Sequence, residues 1–183
     1  MKQENAQNNF KSLEVLKKIV DENGCCKVIQ EGGYVWEANC SFNPPATKDE
    51  IAELKKQLDS PLPLSYEWFL LKFNGAVLFY DKAYGQWGFK LYGADNLIAK
   101  NTMWKKRYGS DWKQTYLAFA ESFGDADLLV LDTAKLTKDG NDCAVIDGDS
   151  GYLPNKWEVA SKSFTTWLDH LVVAQGTKYW RWR

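Results

Sequence analysis

One histidine, His170, is all that the 183 residues contain. General-base and metal chemistry that depends on imidazole is thereby narrowed to one position. That position falls between core sites of a C-terminal helical pattern, at the edge of a core rather than in a motif. No GxSxG elbow, HExxH, P-loop or GxGxxG occurs, which removes the commonest hydrolase, zinc-protease and nucleotide-binding signatures. Cys25, Cys26, Cys40 and Cys143 show no paired CxxC spacing, so buried reduced thiols are expected rather than zinc ligands. No cofactor is expected. A formal net charge of −1 gives no basic field to gather nucleic acid directly. No run of roughly eighteen apolar residues exists to span a membrane. The opening MKQENAQNN is polar with no apolar stretch after it, so no secretory signal is expected and the chain reads as cytoplasmic.

What the chain does have is aromatic mass: nine Trp, nine Tyr and nine Phe. That load argues against disorder and for one sizeable core. The stretch with the clearest ends is Leu62 to Gly75, LPLSYEWFLLKFNG. Pro61 and Pro63 hold its approach extended, Ser65 is the expected N-cap, and Asn74-Gly75 supplies a left-handed stop. Tyr66, Phe69, Leu70 and Phe73 share one apolar face. Upstream, Thr47 with Glu50 three residues later forms a capping box that opens a helix to Leu58. Phe10 to Asn23 reads as an amphipathic helix, with Phe10, Leu13, Leu16 and Val20 on its apolar side. Lys27–Gln30 and Tyr34–Ala38 then suggest a hairpin.

After Ala76 the apolar period drops towards two. Strands are expected at Val77–Tyr80, Trp87–Tyr92, Leu117–Glu121, Leu128–Leu131 and Ala144–Asp147. A helix is expected between the second and third, over Ile98–Gln114, and another at Ser163–Ala174. Helices segregated around a run of strands predict an α+β fold. We expect a single domain with a mainly antiparallel twisted sheet of five to six strands. Residues 1–43 form a helix-plus-hairpin extension packed on it, 44–175 the domain proper, and 176–183 an aromatic and basic tail.

Several of these residues together resemble the SUKH superfamily, in particular its Smi/Knr-type branch. The matching set is Ile51, Leu54 and Leu58; Leu62-Pro63, Tyr66, Phe69-Leu70 and Asn74-Gly75; Gly93 after a strand; Gly124-Asp125 and Asp127 before LLVLD; and Ser163-Phe164 with Trp167-Leu168. Lys55, Asp59 and Ala126 depart from the pattern, the last standing where the family commonly has glycine. The resemblance implies a binding protein and no enzyme. Bacterial members are commonly immunity proteins that inhibit a polymorphic toxin by direct contact, and fungal members look like cytoplasmic regulatory scaffolds.

Three groups of residues are candidates for a site. Asp125 and Asp127, then Asp147 and Asp149, sit at strand ends where alternation puts each pair on one side. They read as turn formers, as an exposed acidic patch for a basic partner such as a nuclease toxin, or, last, as oxygen ligands for a divalent ion in a metal-dependent enzyme. Trp104, Tyr108 and Trp112 recur every four residues, with Lys105, Lys106 and Arg107 between them. They serve equally as a protein anchor or as the buried face of a helix. Trp87, with Tyr80 and Tyr84, lines a concave surface or simply fills a turn. The tail Tyr179–Arg183 reads as a final strand or a flap over the core. The expected function is an immunity protein that occludes a cognate toxin, as a monomer or weak homodimer. A regulatory module without a toxin is the alternative.

Overall fold

The computed structural model describes residues 10–182, the Glu31 side chain excepted. The polar opening stretch and Arg183 of the expected tail lie outside the described residues. Five α-helices and eight strands follow in order: α1 Lys11–Ile19, β1 Cys25–Ile29, β2 Val35–Phe42, α2 Lys48–Gln57, α3 Leu64–Phe73, β3 Ala76–Tyr80, β4 Phe89–Leu91, α4 Ala94–Tyr108, β5 Tyr116–Ser122, β6 Leu128–Leu136, β7 Cys143–Gly148, β8 Glu158–Ser161 and α5 Phe164–Val173. All eight strands form one sheet in chain order, and every neighbouring pair is antiparallel.

The fold is therefore α+β with an antiparallel sheet, but of eight strands rather than five to six. The β1–β2 hairpin joins the same sheet through β2 and β3. The eighth strand has no apolar signature, because Glu158–Ser161 is a half-exposed edge held by pairing with β7. The Trp87–Tyr92 strand shortens to Phe89–Leu91, leaving Trp87 in the preceding turn. The aromatic helix starts earlier than expected, at Ala94, and stops at Tyr108, where Gly109 takes φ 55°.

Thr47 and Glu50 make the expected capping box, each side chain taking the other's backbone N–H. At α3 the cap differs. Pro63 occupies the N-cap in an extended conformation, and Ser65 lies inside the first turn. The Ser65 hydroxyl instead donates to Asp142 Oδ1 at 2.8 Å. Asp142 also accepts the Phe164 N–H at 2.9 Å and the Thr165 hydroxyl at 2.8 Å. One buried carboxylate thus pins the first turns of α3 and α5 together, where helix dipoles favour negative charge.

The far end of α3 explains its Asn-Gly. Asn74 adopts φ 42° and its Oδ1 accepts the Ala94 N–H at 2.8 Å, so it ends α3 and caps α4 together. Gly75, at φ 96°, faces Gly93: a Cβ on Gly75 would stand 2.9 Å from the Gly93 nitrogen, and one on Gly93 would stand 2.5 Å from the Asn74 carbonyl. The two glycine motifs are a single backbone contact. Between these ends, Tyr66 and Phe69 meet Phe164 of α5 at 5.2 and 5.7 Å between ring centroids. Phe119 of β5 meets Trp167 at 5.1 Å. Phe10 closes the cluster against Phe69 and Phe164.

Candidate functional site

The C-terminal segment decides what the aspartates can do. Past α5 the chain turns sharply through Gln175 (φ 52°) and Gly176 (φ 81°), with the Gly176 N–H donating to the Leu171 carbonyl. The tail then runs back over the sheet. Trp180 packs on Phe89 and Trp167, and Tyr179 on Trp180 and the exposed His170. Its two cations enter the acidic cluster. Lys178 Nζ lies 2.5 Å from Asp125 and 2.6 Å from Asp127. Arg181 holds Asp147 with two bonds, Nε to Oδ2 at 2.6 Å and Nη2 to Oδ1 at 2.7 Å. Its Nη2 also reaches Asp127 at 2.7 Å, with Asp149 further off at 3.7 Å.

The four acids do converge, and on the protein's own tail. Asp127 and Asp147 are buried, with Asp149 half-buried and only Asp125 exposed. Burial alone would raise the Asp127 carboxyl. The Lys178 ammonium, the Ser150 N–H and the Arg181 guanidinium outweigh it and hold the group below the usual carboxylate range. The bonded Asp147 carboxylate raises Arg181 in turn. The tail's two cations offset half of the four carboxylate charges and close off Asp127 and Asp147, leaving Asp125 and Asp149 at the surface. Among the described residues, no group of three or more His, Cys, Asp or Glu side chains is placed to hold a metal ion.

The aromatic row is likewise occupied. Trp104 and Trp112 are buried, and Tyr108 stacks between them at 6.1 Å from each. Trp112 comes from the turn after α4, not from the helix, and reaches Trp157 beside β8. Trp104 Nε1 donates to the Tyr92 hydroxyl, which donates to Glu121 at 3.0 Å. The buried-face reading therefore describes this row. Lys106 and Arg107 stay on the surface, the Arg107 guanidinium 5.3 Å from the Trp104 ring.

Trp87 is different. It is 52% exposed and borders two clefts. Tyr84 is exposed beside it in the same turn, while the Tyr80 ring meets that of Phe123 at a tilt, 4.6 Å between centroids. The larger cleft, about 820 Å³, is floored by Ile29, Val173 and Trp182. Val15 and Ile19 of α1 extend the apolar surface across Val173. Neither was a candidate from sequence, yet the signal was present. Val15 and Ile19 lie four apart on α1 and widen its apolar side beyond Leu13 and Leu16.

Comparison with known proteins agrees with the fold. YnaB, an uncharacterized protein of Bacillus subtilis (strain 168), is 27% identical over 144 residues, covering 79% of this chain and 88% of that protein. YobM, an uncharacterized protein of the same strain, is 23% identical over 186 residues, covering 94% and 91%. The family model described as SMI1 / KNR4 family (SUKH-1) matches residues 45–170, from just before the capping box of α2 to His170 of α5. The motifs that meet at the α3–α4 junction and the aromatic cluster are thus those of a known fold, and the chain belongs to the SMI1/KNR4 (SUKH-1) family.

Proposed function

We propose that this protein is an immunity protein, one that binds and neutralises a cognate polymorphic toxin by covering its working surface. One observation carries the reading. The richest concentration of ionisable side chains is closed by the chain's own Lys178 and Arg181, whereas the cleft beside Trp87 is floored with aliphatic and aromatic groups. A body of that kind is suited to contact with another protein and poorly equipped to turn over a substrate. Family membership supports it, because members of this family act as immunity or regulatory proteins. The mechanism is steric: a rigid sheet, braced by α3 and α5, presents a preformed face that needs no ordering on binding. The place of action is the cytoplasm of the producing lineage, where such a toxin would be met.

Co-expression with the toxin encoded beside its own gene tests this directly. Survival of the host together with co-purification of the pair is the expected result. Toxicity undiminished by a well-folded, abundant protein would sink it.

A further inference from the structure

The uncovered apolar surface is concentrated at one end of the molecule. Three concavities join there into a single track. The first, about 410 Å³, lies between α1 and the C-terminal end of α5. It shares Val173 and Gln175 with the 820 Å³ cleft, which in turn shares Trp87 and Thr177 with a third of about 390 Å³. Along this track Ile19, Ile29, Val173 and Trp182 are each more than 60% exposed. Large exposed apolar patches of this kind mark interaction surfaces. Phe79 and Gln175, which line it, also hold left-handed φ of 54° and 52°, conformations that proteins keep where the surrounding structure imposes them.

Strand addition is not how the track would be used. The outer edge of β1 is already engaged: Asp21 takes the Cys25 N–H at 2.8 Å and gives its own N–H to the Cys25 carbonyl. At the other end Gln175 Oε1 accepts the Ile29 N–H at 2.7 Å. A lysine, Lys27, sits between them, a residue type that discourages edge pairing. Recognition would therefore run through side chains.

The charge around the track names the partner's chemistry. Lys11 and Lys27 line it, and neither has an ion pair among the described residues. Glu14 is paired with Lys72, while Asp21 and Asp169 accept from backbone N–H groups and the Ser12 hydroxyl and keep their charge. Glu37 stands opposite Lys27 in register, and among the described residues neither it nor Glu22 has an ion pair. No carboxylate lines the first two concavities, and in the third Asp125 is paired with Lys178, so Lys11 and Lys27 set the charge along the track.

Resting on the immunity reading, we propose that this track docks the toxin, seating an apolar projection between Ile19, Val173 and Trp87. Acidic groups on the toxin flank that projection and meet Lys11 and Lys27. The partner surface is acidic, contrary to the basic one that the aspartates suggest from sequence.

The test uses the full chain and the toxin domain encoded beside its gene, with association measured by biosensor. The wild-type chain should bind. An Ile19→Gln, Val173→Gln, Trp87→Ala triple should weaken binding by about a hundredfold or more, as loss of central anchors does. Leu136→Gln, an exposed position on β6, should leave affinity unchanged. Lys11→Glu with Lys27→Glu should slow association about tenfold at low salt, the difference fading by about 0.5 M salt. Hydrogen exchange on the wild-type complex supplies a readout that needs no variant, with protection expected at α1, β1 and the end of α5. A triple variant that binds like wild type, or protection confined elsewhere, overturns the docking face and leaves the immunity reading standing. Faster association after charge reversal overturns the acidic partner. No wild-type binding at all removes both.

Discussion

The acidic cluster and the apolar track share one stretch of chain, from Gly176 to Trp182, yet they are finished to opposite degrees. In the cluster nearly every carboxylate oxygen has a partner: Asp127 takes Lys178, Arg181 and the Ser150 N–H, and Asp147 takes both arms of the Arg181 fork. In the track, a few residues away, Val173 and Trp182 have their surfaces in water. A folded chain gains by satisfying buried charge and gains nothing by leaving large apolar groups exposed. The first region is therefore explained by stability alone, and the second is not. Function is better sought where the structure is incomplete than where ionisable residues gather.

That contrast can be broken most forcefully at Arg181. Arg181→Ala removes the bidentate partner of Asp147 and one partner of Asp127, leaving two buried carboxylates short of charge. Breaking such a pair costs about 3–5 kcal/mol. The lower end is expected, about 3 kcal/mol, because the arginine side chain is itself 34% exposed. Urea denaturation would read it, with Arg181→Lys recovering only part, since an ammonium cannot reproduce the fork. A loss below about 1 kcal/mol would mean that water already screens the clamp, and the contrast with the track would collapse.

Acid sharpens the same comparison. The Asp127 carboxyl is held below its unfolded value, so between the two values the unfolded chain binds the proton and the folded one does not. Stability from this group is present above the unfolded pKa of about 4 and is lost as pH falls through the folded value. Unfolding free energy should fall as the solution is acidified below about pH 4. The fall should be shallower in Asp127→Asn, which has no proton to take up. Equal slopes would show that other carboxylates carry the acid response.

The unevenness of what the sequence reveals follows the same division. Capping pairs act over three or four residues, so Thr47 with Glu50 is visible as a local pattern, and the structure holds it. The Asn74-Gly75 stop is local too. Ser65 fails as a cap because its hydroxyl is claimed by Asp142, 77 residues away, a competition that no window on the sequence contains. The aspartates were visible as a group, but Lys178 meets Asp127 across 51 residues and Arg181 meets Asp147 across 34. Only the order of strands in the sheet brings these together. Trp104 and Trp112 could not be assigned to core or surface from spacing, because a buried stripe and an interface stripe have the same period.

A smaller effect sits in the turn that carries the cluster. Ala126, between Asp125 and Asp127, has φ 58° where the family commonly has glycine. An L-residue there costs about 1–2 kcal/mol, part of which glycine would return to unfolded-chain entropy. Ala126→Gly should therefore stabilise the protein by about 0.5–1 kcal/mol, read as a raised melting temperature. Destabilisation would mean that the strained turn is relieved by contacts the alanine methyl makes.

The smallest expected effect is the most informative about the track. Val173 is 70% and Ile19 66% exposed, so replacing either by glutamine removes little buried area and keeps a residue that helices accept. Thermal melts of Ile19→Gln and Val173→Gln should shift stability by no more than about 0.5 kcal/mol, the usual range for surface substitutions. If either costs about 2 kcal/mol, these side chains are holding α1 and α5 together, and their exposure would need no partner to explain it. Neutral substitutions would leave two branched aliphatic side chains in water with no benefit to the isolated fold, which is what a surface kept for another protein requires.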